Sequence, residues 1–221
     1  MKTHLLAMLL VIGLSSASHA AEIGEGCSGD PKQYTNGGEG AIAMGELGGA
    51  INYGHCGPWD VAAVPQGHLL LKNTQDEGAV KIIGYRLRGV DADMRLNVQV
   101  SIRAPVKEDE AWGAGIVFFL DPEKRTYSSV LLQSDGTLLV LGHTGSGGFT
   151  QLASSPQKGL DPQNQFIDLV VEKRRRGSST ISVNGRSVLD FSAGDLSGDA
   201  MGIIAAGKGM FLFTGWKVDP Q

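Results

Sequence analysis

QFIDLVVEKRRRGSSTISVNGRSVLDF, residues Gln165 to Phe191, decides the fold class. Ile167, Leu169 and Val171 alternate with Asp168 and Glu172, the two-residue period of a half-buried strand. A polar turn follows through Arg174, Arg175, Arg176 and Gly177, and the triple arginine is read as a solvated hairpin tip or an anionic-polysaccharide contact. The chain returns through Ser179, Ile181 and Val183 to Asn184-Gly185. Asn-Gly between apolar runs signals a tight hairpin, because a type I′ turn needs positive φ at both central residues. A two-residue turn there pairs Val183 with Arg186 and Ile181 with Val188. The stretch is therefore expected to be a three-strand meander.

The rest of the chain reads the same way. Leu69 to Lys72 and Ala79 to Tyr85 are candidate strands. Met94 to Ala104 alternates cleanly, with Met94, Leu96, Val98, Val100 and Ile102 set against Arg95, Asn97, Gln99, Ser101 and Arg103; Pro105 closes it. Gly113 to Leu120 is apolar on both faces, as a central strand should be. Asp121-Pro122-Glu123-Lys124 is turn chemistry. Thr126 to Gln133 then leads to Asp135-Gly136, whose two-residue turn would pair Leu132 with Leu139, Val130 with Leu141 and Ser128 with His143. Ala200 to Ala205 and Met210 to Val218 are the last two strands. Helical periodicity is nowhere sustained, and the 32 glycines suit many tight connections. The expected fold is an all-β, two-sheet antiparallel jelly-roll sandwich.

Residues Met1 to Ala20 read as a secretory signal peptide, with Lys2 and His4 before the apolar run Leu5 to Leu14 and small residues at Ser18 and Ala20. Ten apolar residues are too few to span a bilayer, which takes roughly 20. Removing that leader leaves 18 basic and 23 acidic residues, so the mature net charge is 18 − 23 = −5. A mildly acidic chain argues against a nucleic-acid partner, and no later segment is apolar enough to span a membrane. Residues 21–65 are glycine-rich and weakly patterned, with Gly40 to Met44 and Gly49 to Tyr53 as possible short strands. They read as an N-terminal extension, and 66–221 as the sandwich domain. Cys27 and Cys56 are the only cysteines. In an oxidising compartment, periplasmic or extracellular, they are expected to form one disulfide. Closing a loop of that length contributes about 3–4 kcal/mol on the chain-entropy model.

Gly113 to Phe118, followed by Asp121-Pro122 and Tyr127, resembles the G-x-G-[I/V]-x-F … D-x-x-x-x-x-Y hairpin of concanavalin A-like lectin/glucanase jelly rolls. Within that group it looks like the laminin G-like modules and the 3-keto-disaccharide hydrolase-type domains. Ile181 to Gly185 and Gly215 to Val218 carry the same likeness, which runs from Met94 to Val218. The resemblance implies a face or rim that holds carbohydrate and, in some members, a calcium ion. The E-x-D-x-x-E strand of the jelly-roll glucanases is absent, so their hydrolysis is not implied.

The candidate chemistry is sparse. No carboxylate pair of the kind glycosidases need shares one face of a confident strand. Glu108, Asp109 and Glu110 are the densest acidic cluster and the candidate calcium ligands. Asp195 and Asp199 flank a second, weaker candidate loop. A Ser128–His143 pair would have no third group to orient the imidazole. Sugar sites use an aromatic platform ringed by polar groups, and Trp112, Tyr127 and His143 are the expected ligand contacts, with Trp112 and Tyr127 meeting at one end of their strand pair. Trp216 is expected in the core. The sequence thus points to an exported, non-catalytic module for a glycan or cell-envelope polymer. A glycoside-processing enzyme of the keto-disaccharide type and a structural protein-interaction domain are the alternatives.

Overall fold

The computed structural model describes residues 27–29, 33, 35, 44–65, 67–75, 78–86, 93–103, 111–145, 148–174, 178–192 and 198–221, except the side chains of 111 and 112. A short 3-10 helix, Gly45–Ala50, precedes the strands. In chain order these are β1 Gly54–Cys56, β2 Trp59–Val64, β3 His68–Asn73, β4 Val80–Arg86, β5 Met94–Ile102, β6 Ala111–Asp121 and β7 Thr126–Leu132. They continue as β8 Thr137–Thr144, β9 Phe149–Pro156, β10 Ile167–Lys173, β11 Ser178–Val183, β12 Arg186–Ser192, β13 Ala200–Gly207 and β14 Gly209–Pro220. Two antiparallel sheets result. One has eight strands in the order β1-β2-β3-β14-β5-β10-β11-β12, and the other six in the order β4-β13-β6-β7-β8-β9.

Alternation explains how the sheets face each other. In β5, Leu96, Val98, Val100 and Ile102 are fully buried, while Arg95 and Gln99 are exposed. In β10 and β11, Leu169, Val171, Ile181 and Val183 turn to the same core. Ala114, Ile116, Phe118, Val130, Leu132, Leu138, Val140, Met201 and Ile203 meet them from the six-stranded sheet. Each of the larger side chains contributes roughly 1.5–3 kcal/mol on burial. Trp216 joins this core, 3% exposed, and its Nε1 donates to the Tyr85 hydroxyl at 3.4 Å. Trp59, 2% exposed, packs near Phe211.

The β10–β11–β12 meander forms as expected. Asn184 and Gly185 have φ of 47° and 77°, the positive pair a type I′ turn requires, and Val183 pairs with Arg186. A bulge between Ile181 and Ser182 then brings Ile181 opposite Leu189 rather than Val188. The second hairpin also departs from expectation. Gln133 N–H donates to the Thr137 carbonyl, so Ser134, Asp135 and Gly136 form a three-residue loop with Gly136 at φ 84°. Asp135 stabilises it by accepting from the Thr137 N–H and hydroxyl. Leu132 accordingly meets Leu138, Ser128 meets Gly142, and His143 meets Tyr127. The expected Leu132–Leu139, Val130–Leu141 and Ser128–His143 pairs are each off by one, and a one-residue slip reverses the face of every side chain.

Residues 44–65 are more structured than their composition suggests. Residues 49–50 close the 3-10 helix instead of opening a strand, with Met44 and Leu47 fully buried. Gly40 to Ala43 lie outside the described residues. WDVAAV, read as part of an extension, is strand β2; Trp59, Val61 and Ala63 point inward, and it pairs with β3 along its length. Cys27 and Cys56 form the expected disulfide, with Cα atoms 4.3 Å apart.

Asn184→Val should destabilise the fold by about 1–3 kcal/mol, since a β-branched residue is strained at positive φ. Urea titration of the purified variant checks this; an unchanged midpoint would show that the turn does not set the register.

Candidate functional site

The six-stranded sheet has a second apolar surface, on the side away from the core. Alternate residues of its strands turn there, and strand pairing places them in rows. One row reads Gly84, Gly202, Val117, Ser129, Leu141, Gln151. The next reads Ile82, Ile204, Gly115, Leu131, Leu139. A third carries Tyr127, His143 and Phe149 on neighbouring strands. Ile82, Val117, Leu120, Tyr127, Leu131, Leu141 and Ile204 form one buried cluster, separate from the core between the sheets.

Tyr127 and His143 are the sequence-expected contacts that this surface brings together. Their rings stack 4.9 Å apart at 11°, and Phe149 closes edge-on against both. The His143 Nδ1–H donates to the Arg125 carbonyl at 2.7 Å, which fixes the tautomer and leaves Nε2 as an acceptor in the neutral ring. Arg125 holds φ at 55° at the end of a turn in which Asp121 accepts from the Glu123 and Lys124 N–H groups. Those bonds, the one from the Lys124 N–H foremost, keep the Asp121 carboxyl below its ordinary range.

Two hydroxyls on this surface stand out. Tyr127 is 1% exposed and Ser129 fully buried, yet neither Oη nor Oγ has a hydrogen-bond partner. Burial also pushes the Tyr127 phenol well above its usual range. A buried hydroxyl left unpaired costs about 1–3 kcal/mol. Both lie on the side of the sheet away from the core, beside an imidazole with a spare acceptor, and a hydrogen-bonding ligand would reach them only by displacing what covers them.

Trp112 does not join them. Its backbone lies in β6, and because Ala114 pairs with Leu132 it stands level with Ser134. That is seven residues from Tyr127, roughly 23 Å along the strand. The expected meeting of Trp112 and Tyr127 is therefore corrected: they sit at opposite ends of the strand pair. Glu108, Asp109, Glu110 and Asp195 lie outside the described residues. Asp199 pairs with Arg86 at 3.6 Å. Among the described residues no Asp or Glu is buried, and no three His, Cys, Asp or Glu side chains stand together as a metal site would need. No helix among them is long and apolar enough to cross a membrane.

Sequence reasoning missed Ser129 and Phe149. Ser129 lies in TYSSVLL between Tyr127 and Leu131 on one face, and a small hydroxyl between two large side chains was the available signal. Phe149 opens β9, an edge strand of mixed exposure with no clear alternation.

No protein-family model matches the chain, and no curated protein matches it. Solved structures do. A carbohydrate-binding module from Bacillus subtilis superposes with a TM-score of 0.50 at 12% identity, over 73% of this chain and 95% of that one. Sheep galectin-11 gives 0.45 at 11% identity, over 66% of this chain and 100% of that one. A Caenorhabditis elegans galectin gives 0.44 at 17%, over 68% and 95%. At such identities the first of these is a likeness of fold alone. The chain is an all-β, two-sheet antiparallel jelly-roll sandwich.

Tyr127→Phe removes an unpaired hydroxyl and nothing else. The free protein should keep its urea midpoint or gain up to about 1 kcal/mol. A clear loss of stability would reveal a partner for that hydroxyl.

Proposed function

We propose that this is an exported, non-catalytic binding module whose ligand is a glycan or a glycan-bearing polymer of the cell envelope. The observation that carries the reading is the pair of buried, unpartnered hydroxyls of Tyr127 and Ser129 on an outer sheet face. Sugar hydroxyls both donate and accept, so a sugar that displaces the cover over this buried face can pair with Tyr127, Ser129 and the spare nitrogen of His143. The apolar C–H face of a sugar ring can lie against Phe149 and Leu141, in keeping with the mix of apolar walls and few polar groups that ligand sites use. The disulfide and the leader-like first twenty residues support an oxidising destination, periplasmic or extracellular. Glu108, Asp109 and Glu110 remain the proposed calcium ligands and Trp112 a proposed outlying contact.

A panel of envelope and plant glycans, screened with and without calcium, tests the reading. For a glycan that binds, Tyr127→Phe and Ser129→Ala should each weaken affinity about tenfold, the worth of one hydrogen bond in a desolvated site. Neither should lower the urea midpoint. Unchanged affinity in both variants would move the ligand off this face.

A further inference from the structure

The eight-stranded sheet has an outer face of mixed character. Beside an apolar row of Ala62, Leu70 and Leu212 it has polar ones: Arg95 pairs with Glu172 at 3.1 Å, and Asn97 donates to Asp168 at 3.0 Å. One row departs from this self-neutralised pattern. Asp60, Lys72 and Met210 stand on adjacent strands, and the Arg103 N–H donates to the Met210 carbonyl, which continues the row. Asp60 turns from Lys72 to His55, 2.9 Å away. Neither Lys72 nor Arg103 forms an ion pair among the described residues. Among the described residues the Arg103 guanidinium makes one hydrogen bond, from Nη1 to the Gln163 carbonyl at 3.1 Å, and the residue is exposed.

An aromatic pair stands beside Arg103. The Arg103 guanidinium carbon lies 5.9 Å from the Phe166 ring centre, and the His68 ring packs on Phe166 at 4.7 Å. His68 Nδ1 is buried and has no partner. Burial, and then the charge of Arg103, hold His68 below the ordinary histidine range, so the ring is neutral and the positive charge belongs to Lys72 and Arg103. Across two strand spacings their Cα atoms are roughly 10 Å apart. The floor between them is Met210, half-buried and apolar. In a chain of formal net charge −4, two uncompensated cations flanking an apolar floor, one of them beside an aromatic pair, are a local exception.

We propose that Lys72, Arg103 and Phe166 form a second binding site, on the face opposite Tyr127, for a carboxylate-bearing saccharide. A planar guanidinium with open donors matches a carboxylate in two parallel hydrogen bonds, whereas an ammonium acts as a point charge. The two cations would take carboxylates on separate sugar residues, and the ring between them would lie on Met210 against Phe166. The site does not rest on the reading of the six-stranded face, and either can fail without the other.

The probe is tri-galacturonate, titrated calorimetrically at low salt beside its methyl ester, which has the same rings and no charge. The acid should bind and the ester should not. Arg103→Gln should weaken binding tenfold or more, and Lys72→Gln at least threefold. Lys217→Gln, an exposed lysine in another row of the same face, should change nothing. Arg103→Lys keeps the charge, so a weakening between those of wild type and Arg103→Gln would assign the remainder to the planar fork. Thermal melting of each variant controls for folding, with Arg103→Lys as the conservative replacement. Equal binding of acid and ester, equal losses at all three cations, or no heat from the acid at millimolar concentration would each overturn the site.

Discussion

Strand register is the constraint on which every surface of this protein depends. Side chains alternate across a sheet, so each pairing choice decides which residues enter the core and which meet solvent. With β5 in register, Leu96, Val98 and Val100 face the opposite sheet and Asn97 and Gln99 face outward. With β7 and β8 in register, Val130 and Val140 go inward and Tyr127 and His143 go outward together. The two outer faces are by-products of the same alternation that builds the core.

Bulges adjust this rule where it would otherwise fail. β6 carries an extra residue between Phe118 and Asp121, and Phe119 there takes a φ of 52°. Its ring remains in the core against Phe118, and the Lys173 ammonium lies 4.9 Å from it. β14 carries another between Thr214 and Lys217, with Gly215 at φ 67°. That extra residue lets Trp216 turn inward while Lys217 beyond it stays exposed. Gly115 and Gly202 permit the closest approach of strands, since a Cβ on either would collide with a neighbouring carbonyl oxygen. Such local departures cost conformational freedom and are compensated by the burial they allow.

Elements with a strong local period were legible in the sequence. MRLNVQVSIRA and the Asn184-Gly185 meander announced their strands and, in the first case, their inward residues. The loop at Asp135-Gly136 was not, because that dipeptide suits both two- and three-residue hairpins. The length is decided by Asp135 capturing the Thr137 N–H and hydroxyl, a contact of side-chain geometry rather than composition. The pairing of Tyr127 with His143 hangs on that one residue, so these two were nameable as candidates but not as neighbours. WDVAAV alternates as well as many strands do, but its glycine-rich surroundings masked it. The Arg103, Phe166 and His68 grouping joins three distant stretches of chain, and no local pattern announces such a meeting.

The larger sheet has a peculiar order of assembly. β14, the last of the described strands, lies between β3 and β5 and bonds to both. β1, β2 and β3 therefore have no route into the rest of that sheet until β14 arrives. A ribosome making this protein releases nearly every strand before the one that joins the two halves of the larger sheet. Contacts so distant in sequence close slowly. During synthesis the early hairpin has unpaired edges, which are prone to associate with other chains.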